Sequence, residues 1–167
     1  DGIRGKTLYR DRYSGDDVLA IVLDTFNDNE NALWFYTTPT GVRLDYAVSR
    51  DANGFGGIST FGGGVVNSSW NTYWDVETAR TDEGCFAEMR IPYSSLNFQE
   101  KDGRVVMGLI TYRLIARKSE RHIYPLIPPN WRMGFAKPSQ AQKVVLENVR
   151  GKKPIYITPY LTAGSTG

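Results

Sequence analysis

Residues 73–98, YWDVETARTDEGCFAEMRIPYSSLNF, alternate in character on both sides of a polar turn. In the second arm the apolar residues Cys85, Ala87 and Met89 occupy every second position. Successive side chains of a strand point to opposite faces, so a period of two predicts a half-buried strand. The polar, glycine-containing turn at residues 81–84 is typical of a hairpin. This stretch therefore predicts an antiparallel all-β domain.

The rest of the chain repeats the pattern of short strands separated by turns. The apolar run at 18–26 has the length and the valine and isoleucine content of a central strand covered on both faces. Further strands are predicted at residues 33–38, 42–49, 104–116, 117–124, 144–149 and 155–161. Six to eight strands at this spacing predict a two-layer antiparallel β-sandwich. The glycine-rich stretch 51–64 is either a flap beside a ligand or a plain insertion.

Composition excludes several classes of protein. The chain has 167 residues, which fits one domain with a real core. Its 20 basic and 18 acidic residues are scattered, so no nucleic-acid surface is predicted. No apolar run is long enough to span a membrane as a helix. The single cysteine, Cys85, rules out an intrachain disulfide and fits a buried small hydrophobe.

Four segments together resemble a known family. They are LDTFNDNENALWFYTTPTGVRLDY at 23–46, WNTYWDVETARTDEGCFAEMRIPYSSLNF at 70–98, GLITYRLIARKSE at 108–120 and PYLTAG at 159–164. In this combination and order they are similar to the domain related to carbohydrate-binding module family 9, of the DOMON-like type. That domain stands at the N-terminus of large bacterial envelope proteins that continue into a domain of unknown function, taken to be an outer-membrane barrel.

The resemblance carries several implications. It implies a jelly-roll or DOMON-like sandwich over residues 1–150 and an extension toward a following domain over 151–167. Family domains begin with additional strands before a stretch like 1–16, so we expect a sandwich that lacks its first strands. The resemblance also implies a cell-envelope location, in the periplasm or outer membrane after secretion through the inner membrane. Contact with a membrane is expected only through a following barrel.

An aromatic sugar platform is the first candidate site. Pyranose rings stack their C–H faces on tryptophan and tyrosine, while planar polar groups bind the hydroxyls. The alternative is that some of these rings are core anchors, above all Trp34 and Trp74. The predicted ligand-binding residues are Trp34, Tyr36, Trp70, Trp74, Trp131, Asn71, Asp75, Arg113 and Arg132.

A calcium site is the second candidate, and no other cofactor is predicted. The turn DTFNDNE supplies oxygen ligands from Asp24, Asn27, Asp28 and Glu30. Calcium takes six to eight oxygens, but this spacing does not match an EF-hand loop. The alternative is a solvated turn in which these side chains bond their own backbone.

Catalysis by paired carboxylates is the third hypothesis. Glu77 and Glu88 are predicted cross-strand neighbours, with Asp45 and Asp75 nearby, and a glycosidase needs two carboxylates in one cleft. Both glutamates fall on the polar side of their strands, which favours solvent exposure. We therefore predict a non-catalytic carbohydrate- or glycan-binding domain. The alternative is a structural domain whose open sheet edge is completed by a strand of a protein partner.

Overall fold

The computed structural model describes residues 2–54, 58–59 and 65–149, without the side chains of 58–59. The predicted strand at 155–161, the extension 151–167 and most of the glycine-rich stretch lie outside these residues. The described strands are β1 (Val18–Asp24), β2 (Ala32–Thr37), β3 (Arg43–Val48), β4 (Ile58–Ser59), β5 (Val66–Asn67), β6 (Asp75–Thr81), β7 (Gly84–Arg90), β8 (Arg104–Ile115), β9 (Glu120–Tyr124) and β10 (Gln142–Glu147).

Two sheets form the molecule. The large sheet has the order β10-β8-β1-β2-β3-β5-β4, and β9 pairs with the far half of β8. All its pairs are antiparallel except the short parallel contact of β4 with β5. The small sheet is the β6–β7 hairpin. The all-β, antiparallel sandwich prediction is confirmed. β1 is a central strand as predicted, but it is not covered on both faces along its whole length, because Leu19 is 37% exposed.

The hairpin covers one face of the large sheet. Trp74 and Phe35 are fully buried between the layers, and their rings meet edge to face at 5.3 Å. Val105 and Met107 of β8 and Leu96, which follows the hairpin, complete this cluster. The alternation that predicted the hairpin thus places its apolar side chains against β2 and β8.

Irregular segments cover the opposite face of the large sheet. Trp34 lies at the centre of an aromatic cluster, with ring centroids 5.1 Å from Tyr46, 5.6 Å from Phe135 and 6.0 Å from Tyr112. Phe135 belongs to the proline-rich connection between β9 and β10, so this connection acts as the lid of the second core. Burial raises the pKa of Tyr46 to about 12, because an ionised phenolate would lose its hydration there.

Candidate functional site

Three of the predicted aromatic ligands belong to the core. Trp34 is 3% exposed and Trp74 is completely buried, while Tyr36 packs edge to face on Trp34. These rings pack in the two cores, one on each face of the large sheet, and offer no surface to a ligand in this structure. The alternative interpretation, core anchoring, therefore describes Trp34 and Trp74, and it extends to Tyr36.

Trp70 is different because it lies at the edge of the inter-sheet core. One edge of its indole packs on Phe35, with centroids 6.1 Å apart, while the ring also lines an open groove of about 360 Å³. We call this space the amide groove. Its lining residues are Thr25, Phe26, Asn31, Ala32, Leu33, Ala47, Val48, Ser49, Asn67, Trp70 and Asn97.

The amide groove combines two partly exposed aromatic rings with three asparagines. Phe26 is 42% exposed and stands in the turn after β1. Asn67 comes from β5, and Asn97 follows the proline-led corner after β7. Among the residues that the structure describes, none that lines the groove is charged. Three segments that are remote in sequence therefore build one neutral, polar and aromatic surface.

Hydrogen-bonding capacity remains at each of the three amides. Asn67 accepts hydrogen bonds from the Ser69 amide at 2.9 Å and hydroxyl at 2.7 Å, which occupies its oxygen and leaves its NH₂. Asn31 uses its NH₂ to donate to Asp28 at 2.9 Å, which leaves its oxygen. Asn97 makes no side-chain hydrogen bond with any residue that the structure describes. The groove thus offers both donors and acceptors to a ligand.

Trp131 lines a separate groove of about 370 Å³ in the proline-rich connection. The indole is 43% exposed, and the buried ammonium group of Lys137 sits 4.7 Å from its centroid. The other lining residues are mostly apolar, and the guanidinium of Arg121 is held over the Phe135 ring at 4.2 Å. This second groove has a ring for stacking but few groups for hydroxyls.

The predicted polar ligands do not meet at one place. Asn71 accepts a hydrogen bond from Arg10, and Asp75 forms ion pairs with Arg43 at 2.7 Å and Arg90 at 3.2 Å. A hydrogen bond from the Tyr73 hydroxyl, with the help of both arginines, lowers the pKa of Asp75. Arg113 lies in a third groove, on the β7 side of the large sheet. Arg132 is exposed beside Trp131.

The acidic turn satisfies itself with backbone groups. Asp24 is buried and accepts the amides of Asp28 at 3.1 Å and Asn29 at 3.0 Å, and the Lys143 ammonium lies 3.4 Å away. Asp28 accepts the Glu30 amide at 2.8 Å. These bonds form the self-stabilised turn of the alternative interpretation.

The proposed calcium ligands are therefore spread rather than convergent. Asn27 adopts a left-handed backbone conformation at φ 53°, and the Glu30 side chain is exposed. Within the described ranges no group of three or more histidine, cysteine, aspartate or glutamate side chains could hold a metal ion. Calcium stays a prediction without further support.

The two glutamates of the hydrolase hypothesis are cross-strand neighbours, as predicted. Glu77 pairs with Glu88 in the hairpin register, and both side chains are exposed on its outer face. Neither lines the amide groove or the Trp131 groove. Asp45 is buried in an ion pair with Arg10 at 2.8 Å. Within the described residues these two glutamates do not face a cleft of the kind that glycoside hydrolysis requires, and the hydrolase hypothesis stays a prediction without further support.

Four aromatic or amide residues of the amide groove were not among the ligands predicted from the sequence. Asn31 and Asn67 sit beside turns, where asparagine is common for backbone reasons, and Asn97 follows a predicted corner. Phe26 was assigned to the end of an apolar strand. Local patterns contain no signal that these residues converge, because their proximity depends on the pairing of β5 with β3 and on the hairpin docking.

The fold and this groove define an all-β sandwich domain with a neutral, amide-lined surface site. Comparisons with protein-family models, with curated proteins and with solved structures each found no match. The resemblance to family 9 carbohydrate-binding modules therefore stays a prediction. No helix in the described part of the chain is long and apolar enough to cross a membrane.

Proposed function

We propose that the protein is a non-catalytic carbohydrate-binding domain that holds a neutral sugar in the amide groove. The observation that carries this proposal is the lining: Trp70 and Phe26 with three asparagines and no charged side chain. Sugars present apolar C–H faces and a rim of hydroxyls, so aromatic rings together with planar amides at one site suit them. An ionic ligand would find no counter-charge there.

The size of the groove supports the same ligand class. Its volume of about 360 Å³ falls near the lower end of small-molecule sites, roughly 300–1,000 Å³. The Trp131 groove has a similar volume, but Arg121 is the one polar side chain among its described lining residues, so it offers fewer partners for hydroxyls. The proposal therefore places the sugar at Trp70 and not at Trp131.

The cellular setting follows from the resemblance alone. A carbohydrate-binding domain of a bacterial envelope protein would meet glycans in the periplasm or at the outer membrane. This location is part of the proposal, as is contact with a membrane only through a following barrel region.

Calorimetric titration with a panel of neutral oligosaccharides tests the proposed site. Asn97→Ala removes an exposed amide with little effect on the core, and we expect it to weaken binding about tenfold, since one lost hydrogen bond costs about 1.4 kcal/mol. Trp70→Ala should weaken binding more. Because the Trp70 indole also packs on Phe35, the unfolding midpoint of this variant must be measured in parallel.

Trp131→Ala is the matched control, because it removes an exposed tryptophan from the other groove. The proposal expects unchanged sugar affinity for this variant. It would be overturned if no neutral oligosaccharide bound at millimolar concentration. Loss of binding in Trp131→Ala with full binding in Asn97→Ala would also contradict it.

A further inference from the structure

Strand β7 has a free edge over the large sheet. Its one ladder partner within the described residues is β6, and no described backbone group outside the hairpin bonds to it. The opposite strand, β6, is tied to the large sheet by the hydrogen bond from the Thr78 hydroxyl to the Pro39 carbonyl, at 3.2 Å. Within the described residues, therefore, no further strand pairs with β7, and β7 is the edge of the small sheet.

The register of the hairpin fixes which groups point out of this edge. Thr81 pairs with Gly84 across a two-residue turn, and such a pair is hydrogen-bonded. Because bonded and non-bonded pairs alternate, Phe86, Glu88 and Arg90 bond to β6, whereas the amides and carbonyls of Met89, Cys85 and Ala87 point outward. The side chains of these last two residues face the large sheet.

An apolar space continues from this edge, and we call it the edge groove. It has a volume of about 240 Å³ and is lined by Ile3, Asp17, Val18, Leu19, Thr37, Thr38, Pro39, Cys85, Ala87 and Arg113. Leu19 is 37% exposed there although β1 is bonded on both sides in the middle of the large sheet. The second layer thus stops before it has covered a central strand.

The outer strands differ in where their charged residues lie. β10 carries Lys143 and Glu147, and β9 carries Glu120 and Arg121. Charged residues of this kind discourage a further strand from pairing. On β7 the charged residues Glu88 and Arg90 are in pairs bonded to β6, whereas the residues whose backbone groups point outward, Cys85, Ala87 and Met89, are uncharged.

The charges around the edge groove specify what would pair there. Arg113 lines it, and Arg80 is the cross-strand partner of Cys85. Neither guanidinium has a carboxylate within ion-pair distance among the residues the structure describes, whereas the groove's Asp17 accepts the amides of Arg4 at 3.1 Å and Ala116 at 2.8 Å. Two guanidinium groups without an ion pair in the described structure therefore stand beside apolar surface, and the buried carboxylate of Asp17, held by backbone amides, lines the same groove.

We propose that the β7 edge accepts an extended strand of a partner polypeptide, with small apolar residues at every second position and acidic residues at its ends. The strand bonds to the outward groups of Cys85 and Ala87, as in β-augmentation. Its apolar side chains cover Leu19, and its carboxylates meet Arg80 and Arg113. This role is independent of the sugar site, which lies at a different groove.

Amide hydrogen exchange with a synthetic probe tests this proposal. The probe is a peptide of alternating valine and threonine with glutamate at both ends. We expect the amides of Cys85 and Ala87 to gain protection on binding, while those of Phe86 and Glu88, already bonded to β6, do not change. A lysine-capped version of the same peptide should bind at least tenfold more weakly.

Two variants separate backbone pairing from side-chain packing. Ala87→Pro removes an outward amide without breaking the β6 ladder and should abolish peptide binding, whereas Phe86→Ala, on the outer face, should leave it intact.

Arg113→Glu should reverse the preference toward the lysine-capped peptide. Absence of protection with either peptide would overturn the proposal. Protection that rises with protein concentration alone would do so too, because the occupant would then be a second copy.

Discussion

At the scale of single residues, Asp45 is a polar residue of β3 whose buried side chain connects separate parts of the chain. Its side chain is fully buried, accepts a hydrogen bond from the Thr72 amide at 2.7 Å and pairs with Arg10 at 2.8 Å. It thus joins β3 to the N-terminal segment and to the segment before β6. The alternation of β3 predicted that Asp45 faces away from Leu44 and Tyr46, but it could not show that another layer covers it.

Asp45→Asn is expected to lower the free energy of unfolding by about 2 kcal/mol at neutral pH. The substitution keeps the shape but removes the charge that both partners use, and hydrogen bonds to charged groups contribute roughly 1.5–3 kcal/mol. Urea unfolding followed by tryptophan fluorescence measures the change.

Asp75→Asn is the control for this prediction. Asp75 also pairs with arginines, but its side chain is 42% exposed, and solvent screens exposed ion pairs. Equal losses for the two variants would contradict the view that burial makes the Asp45 tie strong.

At the scale of elements, Gly108 is the point where β8 meets its neighbours most closely. A Cβ atom placed there would stand 2.8 Å from the Ala141 Cβ and 3.0 Å from the Asp24 Cβ. Gly108 pairs with Asp24 of β1 on one side and with Lys143 of β10 on the other, so the strand has little freedom to shift.

Gly108→Ala is therefore expected to destabilise the fold by about 1–3 kcal/mol, the usual cost of overpacking. This exceeds the roughly 0.4–1 kcal/mol that alanine gains over glycine through the unfolded chain. Adding Ala141→Gly should recover part of the loss in a double-mutant cycle measured by urea unfolding. A coupling energy near zero would show that the close contact is not the cause.

The elements were predictable because their signals are local. The turn at 81–84 and the alternation of Cys85, Ala87 and Met89 define the hairpin without any tertiary information, and the structure places β6 and β7 accordingly. The amide groove was not predictable in this way. Phe26 and Asn97 meet only through sheet pairing and hairpin docking, and of the groove's residues only Trp70 was selected as a ligand from the sequence.

At the scale of the whole molecule, the two layers are held by different forces. The strands of the large sheet are joined by continuous ladders, and β1 is bonded along its length to both β2 and β8. The β6–β7 hairpin has no ladder to that sheet in the described part of the chain. It is attached by packing around Trp74 and Phe35 and by side-chain ties such as that of Arg43 to Asp75.

This difference predicts that the hairpin opens before the sheet does. Native-state hydrogen exchange should show the β6-bonded amides of Phe86 and Glu88 exchanging at least tenfold faster than the amides of β1, a difference of about 1.4 kcal/mol in opening free energy. Trp74→Phe should widen the gap, because it weakens packing between layers while leaving the ladders of β1 untouched. Equal protection in both layers would mean that they unfold as one cooperative unit, and that the unfinished edge beside β7 costs the domain no local stability.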